Sequence, residues 1–427
     1  MTISTAAACT NAWTPARLKF VAPLRNERMS ASSDHAGYLG LENIESWTGR
    51  IIEADSKSND TTDDDTGLAN VFKEGDVLFG KLRPYLAKAC HAPRDGVCST
   101  ELLVMRPAES LHPRFLLYSL LTPDFVGAVD ASTFGAKMPR ASWDFIGSLE
   151  IRFPSIEAQA VIANYLDRET ARIDGLIAEK ERMLALLEEK RAALISRVVT
   201  RGLAPNAPLK PSGQEWLGEI PAHWRVERAK NLFIVRDERS DDGSEELLTV
   251  SHITGVTSRS EKDVYMFEAD DKAGYKRCMP GDLAINTLWA WMGAMGISPL
   301  AGIVSPDYHV YTSKGELLTE YVDLLCRSRP FVAEVSRWSK GVWSSRLRLY
   351  PENFFEMRLP VPPHDEQAAI VRAVEAEQRK ANALRENLQL SIVLAKERRA
   401  ALITAAVAGQ LNIKEVDLNE SRHHGTR

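Results

Sequence analysis

The octapeptide EKRAALIS at residues 189–196 returns 208 positions later as ERRAALIT at residues 397–404. Before this repeated segment, Gln159 matches Gln367 at the same offset of 208 residues. The globular parts that precede these segments also match each other, at an offset of 206. Matched pairs in the globular parts include Leu82/Leu288, Gly96/Gly302, Phe125/Phe331 and Arg140/Arg346. Because self-similarity at a steady offset marks repeated structural units, the chain is predicted to be a tandem duplication.

The size and composition of the chain fit two or three soluble domains. Its 427 residues exceed the roughly 150 residues of one ordinary domain, and its 44% apolar content is enough for packed cores. The five scattered cysteines indicate a reducing compartment without a disulfide framework. Residues 1–11 lack the features of a secretion signal, and no apolar run approaches the roughly 20 residues of a membrane span. We therefore expect a cytoplasmic protein with no membrane partner.

A long segment without proline follows each globular part, from Glu157 to about Arg201 and from Asp365 to about Ala408. Apolar residues recur along both segments at heptad spacing, which predicts a coiled-coil seam. We expect the two helices to pair antiparallel, because they have the same length. The alternative is two independent helices, each packed on its own domain. The predicted seam and partner-facing positions are Leu166, Ile173, Leu187, Leu194, Val374, Leu388 and Leu402.

Several motifs resemble the specificity subunits of type I restriction-modification systems. They are GDVLFGKLRPY at residues 75–85, GQEWLGEIPAHW at 213–224 and GDLAINTLWAWMGAMGIS at 281–298. The entry into the second long helix, PPHDEQ at 362–367, is also typical, whereas the first entry reads SIEAQ at 155–159. The resemblance covers nearly the whole chain.

The resemblance implies a specific role. Each globular part would be a target-recognition domain that reads one half of a two-part, asymmetric sequence in double-stranded DNA. The helices would set the gap between the two halves and dock two methyltransferase (modification) subunits, which use S-adenosylmethionine. Restriction subunits, which use ATP and Mg²⁺, would join that complex. No cofactor is expected in this chain.

The predicted fold class is α+β, a tandem duplication in which an antiparallel coiled-coil helix pair separates two α/β target-recognition domains. The predicted order is recognition domain 1 at 1–155, central spacer helix at 156–202, linker at 203–224, recognition domain 2 at 225–362, distal spacer helix at 363–411 and a disordered tail at 412–427.

The motifs of an enzyme are missing. The chain has no Asn-Pro-Pro-Tyr-like or Asp-Pro-Pro-Tyr-like methylation motif and no glycine-rich nucleotide loop. Residues 306–307 and 312–314 resemble a metal nuclease site but lack its second carboxylate, which leaves a magnesium ion with too few oxygen ligands. Cys90, His91 and Cys98 lack the second ligand pair of a zinc site. We therefore expect a non-catalytic, metal-free chain.

Polar, basic and aromatic side chains in two loops of each domain are candidate DNA contacts, because base edges and phosphates are read by such donors. The net charge of −5 argues against a uniformly basic DNA-coating protein but allows local basic faces. In domain 1 the candidates are Lys81, Arg83, Tyr85, Lys137, Arg140 and Ser142. The repeat places Thr287, Trp289, Trp291, Lys340, Trp343, Ser345, Arg346 and Arg348 at the matching sites of domain 2.

The matched candidates differ in chemistry between the halves, as one scaffold reading two half-sites requires: Lys81/Thr287, Arg83/Trp289 and Lys137/Trp343. Some candidates have structural alternatives. Trp289 and Trp291 fit core aromatics equally well, and Arg140 and Arg346 fit a phosphate contact or a fold contact better than a base contact. Arg25, Arg28, Arg236 and Arg239 are weaker phosphate candidates, for which salt bridges with neighbouring glutamates are the alternative.

Two other functions are alternatives. The first is an assembly scaffold that joins protein partners without reading DNA, against which the basic loops argue. The second is a stand-alone DNA-modifying enzyme, against which the absent motifs argue.

Overall fold

The structure is a computed structural model that describes residues 13–30, 38–52, 67–135, 137–261, 271–341 and 347–411. It divides into two compact units. The first is Met1–Lys180 with Leu390–Arg427, and the second is Glu181–Gln389. The tail predicted to be disordered, 412–427, lies outside the described residues.

Among its described residues, the first unit contains nine strands, four short helices and parts of both long helices. Its strands are β1 (Thr14–Arg17), β2 (Arg28–Ser30), β3 (Tyr38–Leu39), β4 (Leu68–Phe72), β5 (Val77–Gly80), β6 (Ala89–His91), β7 (Gly96–Cys98), β8 (Leu102–Met105) and β9 (Glu150–Phe153). Its helices are α1 (Leu18–Val21), α2 (Pro113–Leu120), α3 (Pro123–Ala131), α4 (Trp143–Ile146) and the start of α5 (Ile156–Arg201).

A three-stranded antiparallel sheet in the order β6-β5-β8 lies at the centre of the first unit. All residues of β5 and β8 are buried, which fits strands covered on both faces. Phe79 of β5 meets Phe125 of α3 edge to face, with ring centroids 5.7 Å apart. The other sheets are β2-β4-β7-β3 and the pair β1-β9.

The second unit contains twelve strands among its described residues. They are β10 (Leu209–Pro211), β11 (Glu219–Pro221), β12 (Arg225–Arg228), β13 (Phe233–Val235), β14 (Leu248–Ser251), β15 (Gly255–Ser258), β16 (Lys276–Cys278), β17 (Leu283–Ile285), β18 (Met295–Ile297), β19 (Gly302–Val304), β20 (His309–Ser313) and β21 (Arg358–Val361). Its helices are α6 (Ala229–Leu232), α7 (Thr319–Arg327), α8 (Arg329–Trp338), α9 (Pro351–Glu356) and the start of α10 (His364–Val407).

The second unit repeats two of the three sheets of the first. Strands β18-β17-β20 pair as β6-β5-β8 do, with β13 added beside β20, and β12-β21 corresponds to β1-β9. The pairing of Phe79 with Leu103 in β5-β8 returns as Ile285 with His309 in β17-β20. Helices and strands mix in both units, so the predicted duplication and the α+β fold class are confirmed.

A buried glutamine fixes the entry of each long helix. The Gln159 amide donates to the Ser110 and Pro154 carbonyl oxygens at 2.9 and 2.8 Å and accepts from the His112 N–H at 2.8 Å. Gln367 makes the same three bonds in the second unit, to Glu316, Pro362 and Leu318. Neither glutamine is exposed. Because each amide satisfies three backbone groups that would otherwise be buried without partners, the repeated glutamine is structural.

The two long helices lie side by side and antiparallel within each unit. In the second unit, Ile195 and Val374 belong to one core, and Lys190 bonds Glu377 at 2.6 Å. Further from that core, Glu188 forms an ion pair with Arg385. In the first unit, Leu166 and Ile403 share a core, and Asp174 accepts from Arg399 at 2.8 Å. The helices therefore both pair with each other and pack on the domain cores.

Arg399 also joins α10 to a loop of the first unit. Its guanidinium donates to the carbonyl oxygens of Trp47 and Thr48 at 2.7 and 3.3 Å, in addition to Asp174. Arg399 is 7% exposed, whereas the side chain of its repeat partner Arg191 is 44% exposed and reaches only Glu188, at 3.8 Å. The loop contact is therefore particular to the first unit.

Candidate nucleic-acid interface

Three segments of the first unit form one surface that joins the two predicted basic loops. The Ala141 N–H donates to the Lys81 carbonyl oxygen at 2.9 Å, and the Arg83 N–H donates to the Pro139 carbonyl oxygen at 2.8 Å. On the other side, Phe134 and Arg140 exchange two backbone hydrogen bonds of 3.1 Å. Residues 81–83, 134 and 139–141 therefore lie next to one another. Together with the adjoining Tyr85 and Lys137, we call them the domain 1 surface.

Most of the predicted contacts on the domain 1 surface face solvent. Arg83, Lys137 and Arg140 are exposed, Tyr85 is 47% exposed and Lys81 is half-buried. A 3₁₀ turn at Pro84–Leu86 presents Tyr85, and the residues on either side of the turn, Arg83 and Ala87, have left-handed backbone conformations. Such conformations cost free energy in residues with a side chain, so the surrounding contacts hold this turn in place.

Two of the domain 1 candidates have partners within the protein. The Arg140 guanidinium donates two hydrogen bonds of 3.2 Å to the Glu101 carboxylate, which orients it and offsets part of its charge. The Ser142 hydroxyl accepts from the Phe145 N–H at 3.3 Å and caps α4. The structure therefore gives Ser142 a structural role and favours the fold or phosphate interpretation of Arg140.

The second unit builds the same surface from the matching segments. Lys340 and Arg348 exchange two backbone hydrogen bonds of 2.9 Å, and the Leu349 N–H donates to the Thr287 carbonyl oxygen at 3.2 Å. We call residues 287–289, 340 and 348–349 the domain 2 surface. This pairing makes Arg348, rather than Arg346, the counterpart of Arg140. The offset between the two repeats is therefore 208 residues at Arg140, instead of the 206 residues that hold at Phe134. Trp343, Ser345 and Arg346 lie outside the described residues.

Thr287 is a correction to the sequence prediction. It is 3% exposed, and its hydroxyl donates to the Asp307 carbonyl oxygen. The side chain therefore holds two segments together and faces the interior. Lys340 is exposed and Arg348 is half-buried, so these two supply the positive charge among the described candidates of domain 2.

The two candidate tryptophans differ in exposure. Trp289 is 48% exposed, whereas Trp291 is half-buried and donates its indole N–H to the Leu288 carbonyl oxygen at 3.1 Å. Their rings stack with centroids 6.2 Å apart and an interplanar angle of 24°. Trp289 is therefore a surface aromatic that packs against the anchored ring of Trp291. The alternative that Trp289 is a core residue is wrong.

Arg25 and Arg236 are structural. Each guanidinium binds a buried aspartate, Asp76 and Asp282 respectively, at 2.7 Å and also contacts a nearby glutamate, as the salt-bridge alternative predicted. The hydrogen bond to Asp76 raises the pKa of Arg25 above its ordinary value. Burial lowers the pKa of Arg236, but the hydrogen bonds and charges of Asp282 and Glu238 together outweigh it and the net direction is upward. Both arginines keep their charge within the protein, so neither is free for phosphate.

Phe134 was not among the residues predicted to contact DNA. This side chain is 65% exposed and lies within the domain 1 surface. A phenylalanine in a loop resembles a core residue in sequence, and its exposure depends on the backbone pairing with Arg140. The hairpin around it, with Lys137 and Arg140, was the available signal.

Apolar side chains on the long helices are exposed in both units. Leu390, Val393 and Leu394 of the first unit are 51–59% exposed and lie on one helix face, at spacings of three and four residues. The predicted seam positions Ile173, Val374 and Leu388 are buried, Leu166 is in the first core, and Leu187, Leu194 and Leu402 are half-buried. The large apolar side chains that are exposed on the long helices of the second unit, within the described residues, are Met183, Leu186 and Leu384.

In the part of the chain that the structure describes, no helix is long and apolar enough to cross a membrane. Within the same part, no three or more His, Cys, Asp or Glu residues are grouped to hold a metal ion.

Known proteins share this architecture. The HsdS subunit from Thermoanaerobacter tengcongensis aligns over 93% of this chain and 97% of its own, with a TM-score of 0.50 and 20% identity. A chain from a type I restriction-modification system, studied for its complex assembly and conformational transition, aligns over 93% of this chain and 98% of its own, with a TM-score of 0.70 and 20% identity. This chain has the fold of a type I specificity subunit.

The sequence comparison agrees with the fold. The type I restriction enzyme EcoDI specificity subunit of Escherichia coli is 22% identical over 219 residues, which is 51% of this chain and 44% of that relative. The aligned part thus spans less than half of the relative. No protein-family model matches the chain. The resemblance to type I specificity subunits predicted from the sequence is confirmed, and at about 20% identity most surface side chains are particular to this chain.

Proposed function

We propose that this chain is the DNA-reading specificity subunit of a type I restriction-modification complex and recognises a two-part, asymmetric target. The observation that supports this most is the recurrence of one surface in both units with different side chains. The bonds between Phe134 and Arg140 and between Ala141 and Lys81 recur between Lys340 and Arg348 and between Leu349 and Thr287. At the turn, Arg83 is replaced by Trp289, whose N–H bonds the Asn286 carbonyl oxygen instead of the neighbouring segment. A repeated frame with different exposed groups fits two readers of different half-sites.

The charges and donors of the two surfaces suit DNA. Among the described residues no carboxylate forms an ion pair with Arg83, Lys137, Lys340 or Arg348, whereas Arg140 is held by Glu101. An arginine fork suits the two acceptors of guanine in the major groove and would contribute about 1–3 kcal/mol of discrimination. We assign base reading to Arg83 and a positioning role to Arg140.

The exposed apolar face of the long helices supports docking of methyltransferase subunits. Leu390, Val393 and Leu394 project from one face, and an exposed apolar stripe on a helix is typical of a protein contact. In this proposal the helices also set the gap between the half-sites. The partner subunits supply S-adenosylmethionine, ATP and Mg²⁺ chemistry, this chain catalyses nothing, and the complex acts in the cytoplasm.

Methylome sequencing tests the proposal. A host that carries the complex should show one split methylation motif, and the motif should vanish when this gene is deleted. Replacing residues 75–153 with the block of a relative should change one half of the motif and leave the other half intact. Persistence of the motif after deletion would refute the specificity role and favour a scaffold. A change in both halves would refute separate readers.

A further inference from the structure

The two surfaces exchange a cation and an aromatic ring between matched positions. At the start of the 3₁₀ turn, domain 1 has Arg83 and domain 2 has Trp289. At the hairpin position that exchanges two backbone hydrogen bonds with an arginine, domain 1 has Phe134 and domain 2 has Lys340. At these two positions each surface therefore presents one cation and one exposed ring, in opposite places.

Both exposed rings are held by ordered backbone. Phe134 is 65% exposed, yet its N–H and carbonyl groups both pair with Arg140. Trp289 is 48% exposed and stacks on Trp291, which is itself anchored by the Leu288 carbonyl oxygen. An exposed apolar ring on a fixed backbone keeps little freedom to bury itself elsewhere, so its apolar area is available to a partner.

The charges beside the rings indicate which partner. The ring of Phe134 shares its surface with Arg83, Lys137 and Arg140, and the ring of Trp289 shares its surface with Lys340 and Arg348. Glu101 forms an ion pair with Arg140, and within the described part of the chain neither Arg83 nor Lys137 has a carboxylate partner. An aromatic ring among cations is suited to the bases and phosphates of nucleic acid.

We propose that Phe134 and Trp289 are specificity-determining wedges, each of which packs into an unstacked base step in its own half-site. This inference rests on the proposed function. Pyrimidine–purine steps unstack most easily, so each half-site should contain one such step under its ring. Because ring and cation are exchanged, the deformable step and the base read by the cation occur in opposite order along the two surfaces.

The test uses the full chain in its complex and the DNA target that the methylome defines. One 2-aminopurine is placed in the pyrimidine–purine step of either half-site, away from the methylated adenine, and its fluorescence reports unstacking. Wild type should brighten the probe in both half-sites. Phe134→Ala should abolish the rise in one half-site only, and Trp289→Ala in the other only. Each should weaken binding of the target about 5- to 150-fold, as expected for one lost stacking contact.

Matched variants separate stacking from folding. Phe134→Trp and Trp289→Phe should keep the rise in fluorescence, whereas Phe134→Ser, which leaves no apolar group to insert, should not. Phe20→Ala removes a ring that is 71% exposed and lies outside both surfaces, and it should change nothing. If wild type binds its target specifically without brightening either probe, or if the alanine variants brighten them as wild type does, the wedges are refuted. If wild type does not distinguish its target from scrambled DNA, the proposed function itself fails.

Discussion

The two units agree in their interior and differ on one surface. Gln159 and Gln367 make the same three hydrogen bonds, and Arg25 and Arg236 both bind a buried aspartate. On the surface, in contrast, the turn and the hairpin exchange their cation and their ring. The comparison teaches that the interior sets a fixed frame, while the surface is free to vary without disturbing the packing.

The largest expected effect concerns the frame. Arg25→Met leaves the 2%-exposed Asp76 carboxylate without its cation and should destabilise the first unit by about 3–5 kcal/mol. Arg236→Met should cost less, because Asp282 also accepts from the Thr312 hydroxyl at 2.9 Å. Urea unfolding, followed by hydrogen exchange within each unit, measures both. The exposed Arg28→Met is the control, and equal losses in the two units would contradict this difference between the frames.

The second prediction concerns the loop contact that only the first unit has. Arg399→Met removes three hydrogen bonds, including one to the 10%-exposed side chain of Asp174, and should destabilise the first unit by about 2–4 kcal/mol. Its repeat partner Arg191 is exposed, so Arg191→Met should change stability by less than about 0.5 kcal/mol. Hydrogen exchange at residues 45–50 reports the loop directly. Unchanged protection there in Arg399→Met would show that the contact does not hold the loop.

The third prediction is the smallest and depends on pH. Burial, with a smaller contribution from Lys276, lowers the pKa of His309 to about 4, while domain 1 has Leu103 at the same sheet position. Between pH 6.5 and 4 the unfolded imidazole binds a proton that the folded one does not, so stability falls as the pH falls.

The variant His309→Leu removes that titration. On acidification from pH 6.5 to 4, its free energy of unfolding should fall by about 1–2 kcal/mol less than that of wild type. The difference is modest because the ring is partly solvated. Urea unfolding of wild type and variant across this range measures the difference. Parallel pH profiles for the two proteins would show that His309 does not cause the acid sensitivity.

Much of the frame could be predicted from the sequence, because duplication and periodicity are local in the chain. The helices were expected from Glu157 and Asp365, and they begin one residue earlier, at Ile156 and His364. The shared fold class followed from the repeat.

The surface was predicted less well, because it depends on pairing between distant segments. Thr287 follows a strand, as a loop candidate would, yet its hydroxyl is drawn inward by the Asp307 carbonyl oxygen. Phe134 was not predicted as a contact, because its exposure depends on its backbone pairing with Arg140. The offset between the repeats is 206 for Phe134 and Lys340 but 208 for Arg140 and Arg348. Because the change falls between these two paired positions, sequence identity alone does not give the register there.

The placement of Ile403 and Ala406 in the core of the first unit has a consequence for biosynthesis. A ribosome completes residue 180 well before it reaches 403, and at 5–20 residues per second the interval is roughly 10–45 s. During that interval the N-terminal unit exposes the apolar surface that these two side chains later cover. The unit that is translated first is therefore completed last, and the nascent chain has a long period in which chaperones are able to engage it.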